Sequence, residues 1–345
     1  MPLSLSRVLF LISILLSFGS LACEDDISGP TKPQQSWTPL GKSGTGFVQM
    51  FLHEGDLFVS AADSGALLQH PAFFGPWTNI YPNAPSGVYG MAFVQDVLFC
   101  VTFSTTSGVG NIHRWADETW IPTPDSLRDI GAWSLDSIDS TLVVTTAYRG
   151  ILISDDEGST WTRTYGLDGQ IMGDIRVQSD RSVYVIGQNS FFGPTLLRSV
   201  DKGRTWVSLA SLFPITDGRV TSISQIYPAL FPVYAYLGND LYLATSDTST
   251  FTSVLHTSTS GVVLANPDGS EIWVASDSLY QSNDAGASWR AFAPPNGIVR
   301  FGVAAADWER RSMAIIGWAQ NGPGQVYCVD LEILTSEIKS LRSGQ

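Results

Sequence analysis

SDDEGSTW, residues 154–161, shares its spacing with two other stretches, SVDKGRTW at 199–206 and SNDAGASW at 282–289. All three read S-x-D-x-G-x-[ST]-W. Taken alone, the first suggests an acid cluster for metal binding or hydrolysis. The comparison removes that suggestion, because Asp155 and Glu157 fall at variable positions. Only Asp156 recurs, as Asp201 and Asp284. Each copy follows a short apolar segment (GILI, TLLR, SLYQ), and a stronger one precedes that (TLVVTTA, SVYVIGQ, EIWVAS). Val, Ile, Thr and Tyr punctuated by Gly, Asp, Asn and Ser are the signature of strands and hairpins.

The unit extends beyond the three full copies. Two degenerate copies end at Trp77 and Trp120, and a third places Phe251 in the tryptophan slot. With Trp37 at the start, the series is Trp37, Trp77, Trp120, Trp161, Trp206, Phe251 and Trp289, at intervals of 38 to 45 residues. Such a period marks a repeat architecture. Four strands per unit match one propeller blade. After Trp289 come three further strand-like runs without a terminal aromatic, while Trp37 belongs to a strand without a blade. A ring needs closure, because an open blade edge exposes unpaired backbone groups. The sequence therefore predicts an all-β, seven-bladed β-propeller over 37–334 in which the strand at Trp37 completes the last blade.

Composition agrees. Hydrophobic residues make up 44% of the 345 and charged residues 15%, with 32 Gly and 18 Pro, which suits many short strands and tight turns. The formal net charge of −13 excludes a basic groove for nucleic acid. Residues 1–22 read as a signal segment: Arg7, the uncharged run VLFLISILLSF, then GSLAC ending at Cys23. The run is too short for a bilayer span. GSLAC resembles the bacterial lipobox, with Ser20 in place of the usual aliphatic. That resemblance implies a lipid on Cys23, membrane anchoring and an extracytoplasmic location in the cell envelope. The polar stretch 24–36 then reads as part of a flexible tether, 23–36, and 335–345 as a tail. Cys100 and Cys328 lie in apolar strands and read as buried free thiols, a bridge requiring the fold to bring these distant strands together.

The S-x-D-x-G-x-[ST]-W pattern resembles the Asp box, or BNR repeat, of sialidases, xyloglucan-cleaving glycosidases, sortilin-type receptors and a photosystem II assembly factor. The resemblance implies the propeller fold with a sialidase-like blade. It does not fix function, since those families do unrelated things on one scaffold. The residues support a structural role for the box. Asp156, Asp201 and Asp284 accept hydrogen bonds from their own turns, as in Asx-turns. Gly158, Gly203 and Gly286 permit positive φ. Trp161, Trp206 and Trp289 pack between strands or blades. Ser154, Ser199, Ser282, Thr160, Thr205 and Ser288 supply the remaining hydroxyls. Calcium is disfavoured because the second and third boxes offer one acid each where six to eight oxygens are required.

No catalytic residue, metal site or cofactor is assigned. The sialidase family's R-I-P motif is absent, and no arginine lies between Arg7 and Arg114. His53, His70, His113 and His256 show no metal-ligand spacing. Turn acids at Asp63, Asp174, Asp217, Asp240 and Asp277 are the candidates for a glycosidase pair, a role that requires two of them to face each other. In a propeller, the loops leading into each innermost strand share one face with those joining the second and third strands, and the boxes lie on the other. The first face, here the loop face, gathers Tyr89, Trp133, Tyr148, Arg149, Phe191, Phe192, Arg219, Arg300 and Trp318. Aromatics with arginine are the residues of interaction hot spots. The sequence thus predicts a non-catalytic scaffold for a protein or glycan partner, with a glycoside hydrolase as the alternative.

Overall fold

The computed structural model describes residues 37–335, apart from 72–74, 105, 108–109, 118, 124–130, 147–149, 165–170, 179–180, 190–192, 215–219, 224–231 and 247. The expected signal segment, the tether with Cys23, and all but the first residue of the tail lie outside the described residues. The chain forms seven four-stranded antiparallel sheets, each a blade. Blade 1 is β2 (Phe47–His53), β3 (Asp56–Ala61), β4 (Ala66–His70) and β5 (Thr78–Asn79). Blade 2 is β6 (Gly87–Val94) to β9 (Thr119–Pro122), and blade 3 is β10 (Ala132–Ile138) to β13 (Thr162–Arg163). Blade 4 runs from β14 (Ile171–Val177) to β17 (Val207–Ser208), and blade 5 from β18 (Val220–Ile223) to β21 (Thr252–His256). Blade 6 runs from β22 (Val262–Ala265) to β25 (Arg290–Phe292).

Blade 7 closes the ring as the sequence predicts. It contains β26 (Ile298–Asp307), β27 (Ser312–Ala319), β28 (Gly324–Asp330) and, on its outer edge, β1 (Trp37–Gly44). Trp37 pairs with Val329 and Thr38 with Cys328. The Trp37 ring stacks on Phe301 at 5.3 Å and meets Tyr327 edge-on.

Alternation along these strands buries both sides of each sheet, because every blade is sandwiched between two others. Among the described residues the core divides into seven apolar clusters, one at each interface between adjacent blades. The recurring aromatic belongs to these interfaces, always the one with the preceding blade. Trp161 packs on the cluster between blades 2 and 3, and Trp206 on that between blades 3 and 4. Phe251, only 1% exposed, stacks on Phe213 at 4.1 Å between blades 4 and 5. Cys100 is buried and free as expected. Cys328 corrects the expectation of a free thiol: it is disulfide-bonded, and its partner lies outside the described residues.

Candidate functional site

The three repeated turns are hydrogen-bonded alike. Ser154 donates its hydroxyl to Asp156 Oδ1 (2.9 Å) and accepts from the Gly158 amide (2.8 Å). Asp156 also takes the Thr160 amide on Oδ1 and the Thr160 hydroxyl on Oδ2, both at 2.7 Å. Asp201 with Thr205 and Asp284 with Ser288 repeat the pattern. The residue after each aspartate, Glu157, Lys202 or Ala285, has φ of 55 to 58°, and the glycine that follows has φ of 80 to 86°. Two successive left-handed residues explain the glycine. A Cβ on Gly158 would also stand 3.1 Å from Phe99 of the preceding blade. The Trp161 and Trp206 indoles donate to the carbonyls of Gly158 and Gly203.

The aspartates are thus occupied by their own turns, which leaves little for a metal. Hydrogen bonds from the Thr160 amide and hydroxyl hold the Asp156 carboxyl below its ordinary value. At Asp201 burial pushes upward, but the bonds from Thr205, Ser199 and Arg204 outweigh it and bring the group to about 2. Asp155 is engaged too: Thr141 donates to it at 2.8 Å and Arg204 of the next turn at 2.6 Å.

On the loop face, a pairing irregularity recurs where the innermost strand begins. The register with the second strand slips between Phe47 and Gln49, Val88 and Gly90, Ala132 and Ser134, and Val220 and Ser222. It slips again between Ile298 and Arg300. A bulge frees one residue from the ladder and re-aims its side chain. In blades 1, 2, 3 and 7 the freed residues are Val48, Tyr89, Trp133 and Val299. Tyr89 and Trp133 are half-buried and lie 4.9 Å apart across blades 2 and 3, with Phe103 against both. Val48 and Val299 are 39% and 48% exposed at the same position of blades 1 and 7. Arg300 covers the Trp318 ring at 5.0 Å in blade 7.

Of the nine expected loop-face residues, the structure therefore places Tyr89 with Trp133 and Arg300 with Trp318 as two separate groups. Tyr148, Arg149, Phe191, Phe192 and Arg219 lie outside the described residues. Val48 and Val299 escaped the sequence reading, because a bulge is a property of pairing and a lone valine carries no signal. The turn acids hold local partners: Asp63 with Thr45, Asp174 with Ser134 and Arg176, Asp240 with His256, and Asp277 with Ser258 and Tyr280. Asp217 lies outside the described residues.

Opposite the loop face, the innermost strands enclose a cavity of about 500 Å³ that spans the central channel and the box-bearing turn face. His53, Phe93, Asp136, Arg176 and Trp308 are among its walls. Asp136 accepts from the amides of Ser137 and, in the next blade, Val177, both at 2.8 Å. Burial pushes its carboxyl up to about 6. His53 is not isolated: its ring stacks on Phe93 at 3.6 Å, and its nitrogen and the carboxylates of Glu54 and Asp96 lie within 4.8 Å of one another.

No family model matches the chain. A xyloglucanase from a Paenibacillus species is 28% identical over 265 residues, 67% of this chain, which spans only 24% of that enzyme's length. YCF48 from Cyanidioschyzon merolae superposes with a TM-score of 0.66 at 14% identity, covering 86% of this chain and 99% of its own. The chain is a seven-bladed β-propeller similar to YCF48. It is similar also to the GH74 enzyme of Niastella koreensis, with a TM-score of 0.63 at 15% identity over 84% of this chain and 53% of the other. YCF48 has also been solved bound to D1 peptide, and that structure matches this chain with a TM-score of 0.63 at 14% identity, over 87% of this chain and 99% of its own.

Proposed function

We propose that this chain is an Asp-box propeller of the bacterial cell envelope that binds a protein or glycan on its loop face without catalysis. The observation that carries the binding reading is the series of bulges. Four consecutive blades, 7, 1, 2 and 3, present Val299, Val48, Tyr89 and Trp133 at one structural position. Apolar and aromatic side chains gathered on one face of a polar molecule are the mark of an interaction surface. YCF48, of similar fold, binds D1 peptide, which supports a peptide partner. The Asp-box reading rests on the three turns whose Ser and Asp hydrogen bonds repeat, with the indole bond made by Trp161 and Trp206 and not by Trp289. In this reading residues 1–22 are removed, 23–36 tether the propeller, and the boxes brace it from the opposite face.

The similarity to a xyloglucanase favours a second reading, a glycoside hydrolase using acids of the loop face. That chemistry requires two carboxyls about 5–9.5 Å apart. The local partners of Asp63, Asp240 and Asp277 argue for turn acids instead, and Asp174, expected in a turn, lies inside β14, bound to Ser134 and Arg176. One experiment separates the readings. The propeller, expressed without residues 1–36, is titrated against peptide and oligosaccharide panels and assayed for reducing ends released from xyloglucan. Binding that falls at least about tenfold in Trp133→Ala and Tyr89→Ala, without sugar release, is the expected result. Turnover lost in an Asp variant of the loop face would establish the hydrolase.

The anchor has its own test. The chain has three cysteines and Cys100 is free, so within one chain a lipid on Cys23 and a disulfide at Cys328 exclude each other. Peptide mapping under non-reducing conditions should find Cys328 in a disulfide. A lipidated Cys23 beside a free Cys328 thiol, with Cys23→Ala releasing the protein from membranes, would establish the anchor instead.

A further inference from the structure

The channel cavity lies at the opposite end from the loop face and plays no part in the function proposed above. Six blades each contribute to its mouth: Pro267 from blade 6, Trp308 from 7, His53 from 1, Phe93 from 2, Asp136 from 3 and Arg176 from 4. The rest of the lining is mixed, with Leu52 and Leu264 beside Gln49 and Ser137. Its volume of about 500 Å³ falls in the range of small-molecule sites.

Its charge is one-sided. The Arg176 guanidinium is held by Asp174 through contacts of 2.6 and 2.9 Å, so its charge is matched. Asp136 has two backbone amides as hydrogen-bond partners and, among the described residues, feels Arg176 only through space. One net negative charge therefore remains in the cavity. Glu54 and Asp96 stand beside His53 at the rim and add to it. The innermost strands pair on one side only, so their channel edges present backbone carbonyls and amides alike. Side chains already use some of that edge: Gln49 takes the Met91 amide and Asp136 the Val177 amide.

We propose that this cavity binds a small organic cation, a primary alkylammonium, with its charged head at Asp136 and its alkyl body against Trp308 and the apolar walls. An ammonium has three N–H groups and no acceptor. The Asp136 carboxylate and carbonyls of the strand edges can accept from it. The negative rim raises the local concentration of cations at the mouth. A bare metal ion would use His53, Glu54 and Asp96 and leave the apolar volume empty.

The test uses the propeller with hexylammonium chloride as probe and hexanol as its neutral counterpart, followed by saturation-transfer NMR and calorimetry. Hexylammonium should bind saturably, and hexanol at least about tenfold more weakly, equal to roughly 1.4 kcal/mol. Asp136→Asn should weaken the probe by a similar factor. Trp308→Leu, which leaves every charge in place, should weaken both probe and hexanol. Circular dichroism confirms that each variant is folded, and Trp308→Leu keeps the test open if Asp136→Asn is not. Equal binding of hexanol, or no saturable binding of hexylammonium, overturns the proposal. So does zinc binding that His53→Ala abolishes while hexylammonium gives no signal.

Discussion

Asp201 shows what one residue of the repeated turn does. Its carboxylate accepts from the Ser199 hydroxyl, the Arg204 amide, and the amide and hydroxyl of Thr205. Removing it strands several donors at once in a turn already held in left-handed geometry. Asp201→Ala should cost about 1–2 kcal/mol, seen as a lower urea midpoint, and Asp201→Asn, which keeps one acceptor oxygen, should cost less. Asp156→Ala should act in the same direction without changing affinity for a loop-face ligand. His113 offers a second residue-scale test. It is buried between the Tyr81 hydroxyl and Thr102, both at 3.1 Å, and burial pushes it from 6.5 to about 4. As pH falls from 6.5 to about 4, the unfolded chain takes up a proton that the folded chain refuses. Stability is then full above that window and falls through it, by up to about 3 kcal/mol. Asp136 acts oppositely. Its raised value means that stabilisation is lost as pH rises from 3.8 to about 6. The clean measurement is the difference between the parent and His113→Gln, whose stability should lack the acid-side loss.

At the scale of the element, each blade is joined to the one before it by its recurring aromatic. The full boxes and the degenerate blades achieve this differently. Trp161 and Trp206 donate to the glycine of their own turn. Trp77 instead donates to Leu40 of blade 7, and Trp120 to Ile80 of blade 1, each at the preceding blade. Where the turn glycine is missing, the indole finds a carbonyl across the interface. Phe251 has no N–H and contributes packing alone. Phe251→Ala should therefore cost about 3–5 kcal/mol through the cavity it leaves, measured by chemical unfolding. Much of this level was legible in the sequence. The box turn and its aromatic are local requirements of a hairpin, so they repeat in the chain as they repeat in space. The bulge residues Val48 and Val299 were not legible, because their exposure depends on how two strands pair. Nor were the channel walls. His53, Phe93, Asp136 and Arg176 come from four blades, each about one repeat apart, and only ring closure brings them together.

The molecule as a whole is a ring whose last join is made by its first strand. The pairing of β1 with β28 ties residues near 37 to residues near 329, the longest separation in the chain's strand ladders. Contacts so distant along the chain slow folding, because loop closure must precede them. They also hold the ring shut, since β28 without β1 would be an open edge. The two effects are separable. Trp37 and Val329 are register partners, so β1 starts where β28 ends, and a short link could join the two as an ordinary outer hairpin. A circular permutant that begins at residue 45 and carries residues 37–44 behind residue 335 through a Gly-Ser link should build the same seven blades. Its urea midpoint should stay near that of the parent, because every strand keeps its neighbour. Its refolding should be faster, because all seven blades are then local in sequence. A truncation that omits β1 altogether should expose the edge of β28 and self-associate, as seen by light scattering. A permutant that refolds no faster than the parent would mean that closure of the ring is not the slow step. A stable, monomeric truncation would mean that β1 is dispensable to the ring.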